Sequence, residues 1–116
     1  MANIYNLFKF LEDKKGKKIP FKLKLIHAPE TIKKEDLNVK GNLNLRDTKI
    51  SSLPDNLTVE GNLDLRDTEI TSLPDNLKVG GFLDLENTPL SKKYSKKQIR
   101  QMIEKKGGEV KAEIYT

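Results

Sequence analysis

Few side chains in this chain could do chemistry. His27 is the single histidine, and cysteine is absent. Without a second His or a thiolate, His27 lacks the partners of a zinc site or a nucleophile–base pair, so a surface or turn role is expected. Asp47 and Asp67 recur twenty residues apart and could share a hard cation. Acids repeated in this way more often cap the turns of a repeat. The chain holds no Gly-rich phosphate loop, nucleophile elbow or metal-ligand spacing. The expectation is a protein that is not an enzyme and needs no cofactor or metal, with neither a small-molecule substrate nor a membrane as partner.

The remaining candidates are recognition residues. Asn44, Arg46, Asp64, Arg66, Phe82, Asp84 and Glu86 mix guanidinium, carboxylate and aromatic groups at regular spacing. Arg and aromatic side chains are the usual anchors of protein interfaces, so these seven form the expected protein-binding face. A second set is purely basic: Lys14, Lys15, Lys17 and Lys18 near one end, with Lys33 and Lys34, and Lys92, Lys93, Lys96, Lys97 and Arg100 near the other. Phosphate binding through such residues would be steeply salt dependent, and only Tyr94 among them offers a base-stacking ring.

Charge is distributed unevenly along the 116 residues. Net charge is +5 overall, built from +5 over residues 1–40, −5 over 41–90 and +5 over 91–116. The acidic middle would repel a duplex laid along it. It also suits a nucleic-acid mimic that occupies a partner's basic groove.

The elements that must position these residues are repeats. VKGNLNLRDTKISSLPDNLT begins at Val39, VEGNLDLRDTEITSLPDNLK at Val59 and VGGFLDLENTPLSKKYSKKQ at Val79. Leu43, Leu63 and Leu83 share a column, as do Leu45, Leu65 and Leu85, Thr48, Thr68 and Thr88, and Ile50, Ile70 and Leu90. A fixed period of this kind implies a solenoid, whose coils bury their apolar faces against neighbours rather than around one centre. Leu-x-Leu predicts a short strand with both leucines pointing inward. Gly41, Gly61 and Gly81 stand at its start, where a crowded or positive-φ backbone is easily accommodated. The Thr hydroxyls can satisfy inward-facing backbone groups, one per coil. The SLPDNL segments return the chain, with Pro initiating the turn.

The columns LxLxxTxI resemble the leucine-rich-repeat consensus with Thr in the Asn place, and the trailing LPxxLxV resembles the short LP-containing repeats of bacterial and bacteriophage leucine-rich-repeat proteins. The likeness spans residues 19–90 and departs from the consensus at Lys40, Glu60 and Gly80, which occupy its first Leu column, and in lacking the consensus Asn ladder. It implies a non-enzymatic protein-binding module, and it suggests a phage-encoded effector or inhibitor of a host or defence complex, an anti-CRISPR-like protein being one example. A cytoplasmic location, in a bacterium or a phage-infected cell, goes with that reading.

The flanks complete the expected α/β solenoid, a single domain whose parallel sheet has about five strands. Asn3 can cap a helix carrying Ile4, Leu7, Phe8 and Leu11 on one face and stopping at Gly16, which would close one end of the core as an N-terminal cap over residues 1–18. Its apolar run, interrupted by Lys9 and ended by Glu12, reads as neither signal peptide nor membrane span. Phe21 to Ile26 aligns with the repeats at minus twenty and is expected to be a degenerate first strand. Residues 91–116 are expected to form the C-terminal cap. Within it, Ser95 to Gln98 predicts a capping box opening a helix that ends at Gly107-Gly108, and the alternation of EVKAEI predicts a last strand laid over GGFLDLEN. The outward columns would then read Lys22, Asn42, Asn62, Phe82, Glu109; Lys24, Asn44, Asp64, Asp84, Lys111; and Ile26, Arg46, Arg66, Glu86, Glu113.

Overall fold

The structure, a computed structural model, describes Glu12 and residues 19–116. Apart from Glu12, which is helical, the expected helix over residues 3–15 lies outside the described residues. The chain divides into two compact units, Met1–Leu37 and Asn38–Thr116.

In the first unit the expected strand is instead a helix. α1 (Phe21–His27) starts after Pro20, whose carbonyl accepts the amides of Leu23 at 3.1 Å and Lys24 at 3.2 Å. Single-turn 3-10 helices follow at Pro29–Thr31 and Lys34–Leu37. FKLKL alternates over residues 21–25, but a strand would keep Leu23 and Leu25 on one face. α1 leaves Leu23 41% exposed and Leu25 half-buried, and it turns Lys24 fully inward. The Lys24 Nζ meets Glu12 Oε2 at 2.6 Å and Asp36 Oδ2 at 2.8 Å. Two carboxylates in that position compensate the buried ammonium, whereas the expected strand would have turned Lys24 outward to solvent.

The second unit consists of eight two-residue strands in two parallel four-stranded sheets, with two helices, an α/β arrangement. β1 (Asn38–Val39), β3 (Thr58–Val59), β5 (Lys78–Val79) and β7 (Glu109–Val110) form one sheet. β2 (Leu43–Asn44), β4 (Leu63–Asp64), β6 (Leu83–Asp84) and β8 (Ile114–Tyr115) form the other. Five strands in one sheet were expected. Each repeat instead contributes a strand on either side of its glycine bend, so Val59 and Leu63 belong to different sheets.

Pairing advances by one sequence period: Val39 with Val59, Val59 with Val79, Leu43 with Leu63 and Leu63 with Leu83. Leu45, Leu57, Leu63, Leu65, Leu77, Leu83 and Leu85 are fully excluded from solvent, as is Ile70, with Leu90 1% exposed. Each such side chain contributes roughly 1.5–3 kcal/mol relative to its exposed state.

The turns need left-handed backbone, and the sequence supplies the residues that tolerate it best. Asp47, Asp67 and Asn87 have φ of 62°, 58° and 57°, and Asn56 and Asn76 have 65° and 57°. Asp and Asn enter this region more cheaply than other residues bearing a Cβ. Among the strand-start glycines only Gly41 has positive φ. Gly61 and Gly81 are required for a different reason: a Cβ at either would run into the side-chain oxygen of Asn42 or Asn62.

After the third repeat, α2 (Pro89–Lys93) is capped by Thr88, and α3 (Lys96–Lys105) carries the expected capping box between Ser95 and Gln98. Gly107, with φ of 83°, ends it. The structure differs from the expected overlay of GGEVKAEI on GGFLDLEN. Val110 pairs with Val79 and Ile114 with Leu83, a register four residues away from that alignment. The return helix delivers the chain to the first sheet before the second. Glu109 and Lys111 therefore leave the expected outward columns, and Glu113 and Tyr115 replace them beside Phe82 and Asp84.

Candidate functional site

The outward residues of β2, β4, β6 and β8 and their following turns hold the expected protein-binding residues, and side-chain ladders fix them. Asn42 Oδ1 accepts the Asn62 amide at 2.8 Å, and Asn62 Oδ1 accepts the Phe82 amide at 2.9 Å. This is an Asn ladder that links one repeat to the next. Thr48, Thr68 and Thr88 each donate Oγ1 to the Leu carbonyl three residues back, at 2.7–2.8 Å. They satisfy backbone within their own repeat and do not link one repeat to the next.

Asn44, Asp64 and Asp84 have a common structural task. Each side-chain oxygen accepts the amide two residues on, at Arg46, Arg66 and Glu86, with distances of 3.0, 3.1 and 3.0 Å. These Asx turns lock the strand ends. Asp84, expected to point to solvent, is only 6% exposed. Its second oxygen lies 3.4 Å from Arg66 Nε, and Arg66 also forks onto Asp64 at 3.0 and 2.7 Å. The bidentate guanidinium, opposed by partial burial, holds the Asp64 carboxyl below its ordinary range. Hydrogen bonds to Asp64 likewise hold the Arg66 charge firmly in place.

Arg46 is more open. Its Nε lies 3.3 Å from Asp67 Oδ2 and 3.7 Å from Asp47. Asp67 Oδ1 accepts Asn87 Nδ2 at 2.7 Å, and this bond, with Arg46, lowers the Asp67 carboxyl pKa. Asp67 therefore belongs to a turn ladder with Asn87, and Asp47 occupies the corresponding left-handed turn position. Among the described residues no group of three or more His, Cys, Asp or Glu converges on a possible metal position. His27 is exposed at the end of α1.

Phe82, expected to be exposed, is half-buried. Its ring meets Tyr115 edge-on, with centroids 5.5 Å apart and planes at 75°. Sequence reasoning passed over Tyr115 because it aligned glycines with glycines. The better signal is the spacing from Val to Leu or Ile: Val59/Leu63, Val79/Leu83 and Val110/Ile114 are each four apart. That spacing places Tyr115 beside Asp84.

The basic residues separate into two kinds. Lys14, Lys15, Lys17 and Lys18 lie outside the described residues. Lys33, Lys34, Lys92, Lys93, Lys96 and Lys97 are exposed. Arg100 is engaged: Nη1 donates to Val110 O at 2.9 Å and Nη2 to Ala112 O at 2.7 Å, covering the edge at β7. The outer side of the first sheet bears a shallow cavity of about 500 Å³ lined by Thr58, Glu60, Lys78, Gly80, Glu109 and Lys111. No helix among the described residues is long and apolar enough to cross a membrane.

No family model, curated protein or solved structure matches this chain.

Proposed function

We propose that the protein is a non-enzymatic protein-binding module, built as a short solenoid of leucine-rich-repeat type and acting through the outward face of β2, β4, β6 and β8. The observation that carries this reading is the division of labour along each coil. Leu, Thr, Asn and Asx-turn side chains meet the coil's internal demands, while Arg46, Arg66, Phe82, Glu86 and Tyr115 stand in adjacent rows, the two arginines held by ion pairs and the Phe82 and Tyr115 rings by each other. A face held in this way loses little side-chain entropy on association, which favours affinity. Its Arg and aromatic content suits an interface centre. An inhibitor or effector that blocks a partner's surface needs nothing more than such a face.

Position-dependent cross-linking tests the reading. A photoreactive residue replacing Arg46 should give a discrete covalent adduct in the native cell, whereas one replacing Lys78 on the other sheet should not. Equal adducts from both positions, or adducts from Lys78 alone, would move the interface off this face.

A second reading, nucleic-acid binding through the basic segment, is favoured by one observation. Lys92, Lys93, Lys96 and Lys97 are all exposed around the Ser95 cap. Binding of a random duplex that weakens steeply with salt and is lost on neutralising these four would support it. Salt-independent or absent binding at low ionic strength would remove it.

A further inference from the structure

We infer that the partner segment this face takes is basic, an extended stretch of another protein presenting Arg or Lys to the Phe82–Tyr115 end of the second sheet. The inference rests on the protein-binding reading above and adds the partner's chemistry. The register brings five outward residues together at β6 and β8: Phe82, Asp84 and Glu86 from one strand region, Glu113 and Tyr115 from the next. Glu113 follows because its carbonyl accepts the Leu83 amide at 3.0 Å, and Tyr115 because its carbonyl accepts Leu85 at 2.7 Å.

The charge balance of this end is one-sided. Arg66 is its guanidinium, and it is already committed to Asp64 and Asp84. Glu86 and Glu113 are exposed, and among the described residues neither forms an ion pair. One guanidinium thus faces four carboxylates, and an approaching phosphate or acidic segment would be repelled. Beside the two unpaired carboxylates stands Tyr115, 42% exposed, set edge-on to Phe82. An aromatic ring flanked by carboxylates attracts a cation twice, through the ring face and through the carboxylate oxygens. An Arg side chain can stack on a ring and present its fork to a carboxylate at once, which Lys does less well. The outer side of the first sheet offers no such bias, since Lys78 and Lys111 there balance Glu60 and Glu109.

The test uses the full chain, isotopically labelled for amide detection, at physiological ionic strength. One probe is an extended peptide of about ten residues alternating Arg with Leu, and the other is its Glu-for-Arg counterpart. The Arg peptide should shift the amides of Phe82, Glu86, Glu113 and Tyr115, and the Glu peptide should not. The double variant Glu86→Lys/Glu113→Lys should weaken the Arg peptide about tenfold or more, and Tyr115→Ser should weaken it independently of charge. If the Glu peptide moves these signals instead, the partner chemistry assigned here is wrong while the face remains an interface. If the Arg peptide shifts only signals around Lys78 and Lys111, or none, or if the charge-reversed variant binds it unchanged, the inference is overturned. Shifts confined to the Lys78 side would count against the protein-binding face as well.

Discussion

The contact between Asn62 and Gly81 makes a sharp prediction about why the repeat carries Asn and Gly where it does. Asn62 Oδ1 accepts the Phe82 amide at 2.9 Å, and a Cβ on Gly81 would strike that oxygen and come within 3.0 Å of Asn62 Cγ. Asn62→Ala leaves the Phe82 N–H without its partner, a cost of about 1–3 kcal/mol, and toward the lower end because Phe82 is half-buried. Gly81→Ala forces a displacement of the Asn side chain, at about 1–3 kcal/mol. In the double variant most of the collision is gone and the Phe82 N–H is unpaired only once. The remaining close neighbour is Gly61 C at 3.1 Å. The double variant should therefore lose about 1–2 kcal/mol less than the sum of the singles. Urea unfolding of the four proteins measures this directly. The pair Asn42 and Gly61 provides a control, because a Cβ on Gly61 also meets the Gly41 carbonyl carbon and oxygen at 2.8 Å, so removing Asn42 should rescue it less. Additivity within about 0.5 kcal/mol at Asn62/Gly81 would refute the argument.

Other outcomes follow from the same structure. Arg100→Ala should leave the Val110 and Ala112 carbonyls unpaired, cost about 1–3 kcal/mol and speed amide exchange at Glu109 and Lys111, on and just after β7; unchanged exchange would mean the edge needs no cover. Leu65→Ala, at a fully buried position, should cost about 2–5 kcal/mol in thermal or urea unfolding, and a loss under about 1 kcal/mol would indicate a loosely packed interior. In the first unit, burial disfavours the Lys24 and Asp36 charges, but their hydrogen bond, with Glu12 beside Lys24 and the Lys33 amide on Asp36, outweighs it: Lys24 is raised and Asp36 lowered. The Asp36 contribution is present above the unfolded carboxyl pKa and is lost as pH falls below about 4; the Lys24 contribution is present below the unfolded ammonium pKa and is lost as pH rises beyond about 10.5. Asp36→Asn should flatten the acid limb of a stability–pH curve, and an unaltered acid limb would contradict the pairing.

The legible parts of the sequence were those in which one column has one task. Leucines at positions 43, 63 and 83 announced the core and the register because burial tolerates little else there. The Ser95–Gln98 box announced a helix for the same local reason. Phe21 to Ile26 misled because the period-2 alternation of its first five residues also fits a helix whose inward polar residue, Lys24, finds carboxylates twelve residues away in either direction. Periodicity cannot see such partners. The two-sheet arrangement was hidden because Val59 and Leu63 look equally inward in a linear reading, and only the glycine bend assigns them to different sheets. At the candidate face, Arg46, Arg66 and Phe82 were visible as outward residues. The engagement of Arg66 by Asp64 and Asp84, and the arrival of Tyr115, depended on register and geometry that a column of letters does not carry.

The central claim is that the aromatic end of the second sheet is an interface. The most direct measurement is the affinity of the alternating Arg–Leu peptide for the intact protein and for Phe82→Ser/Tyr115→Ser, with the unfolding curve of each recorded alongside. The account predicts affinity reduced about tenfold or more in a variant that still unfolds cooperatively. Unchanged affinity in that folded variant would contradict it.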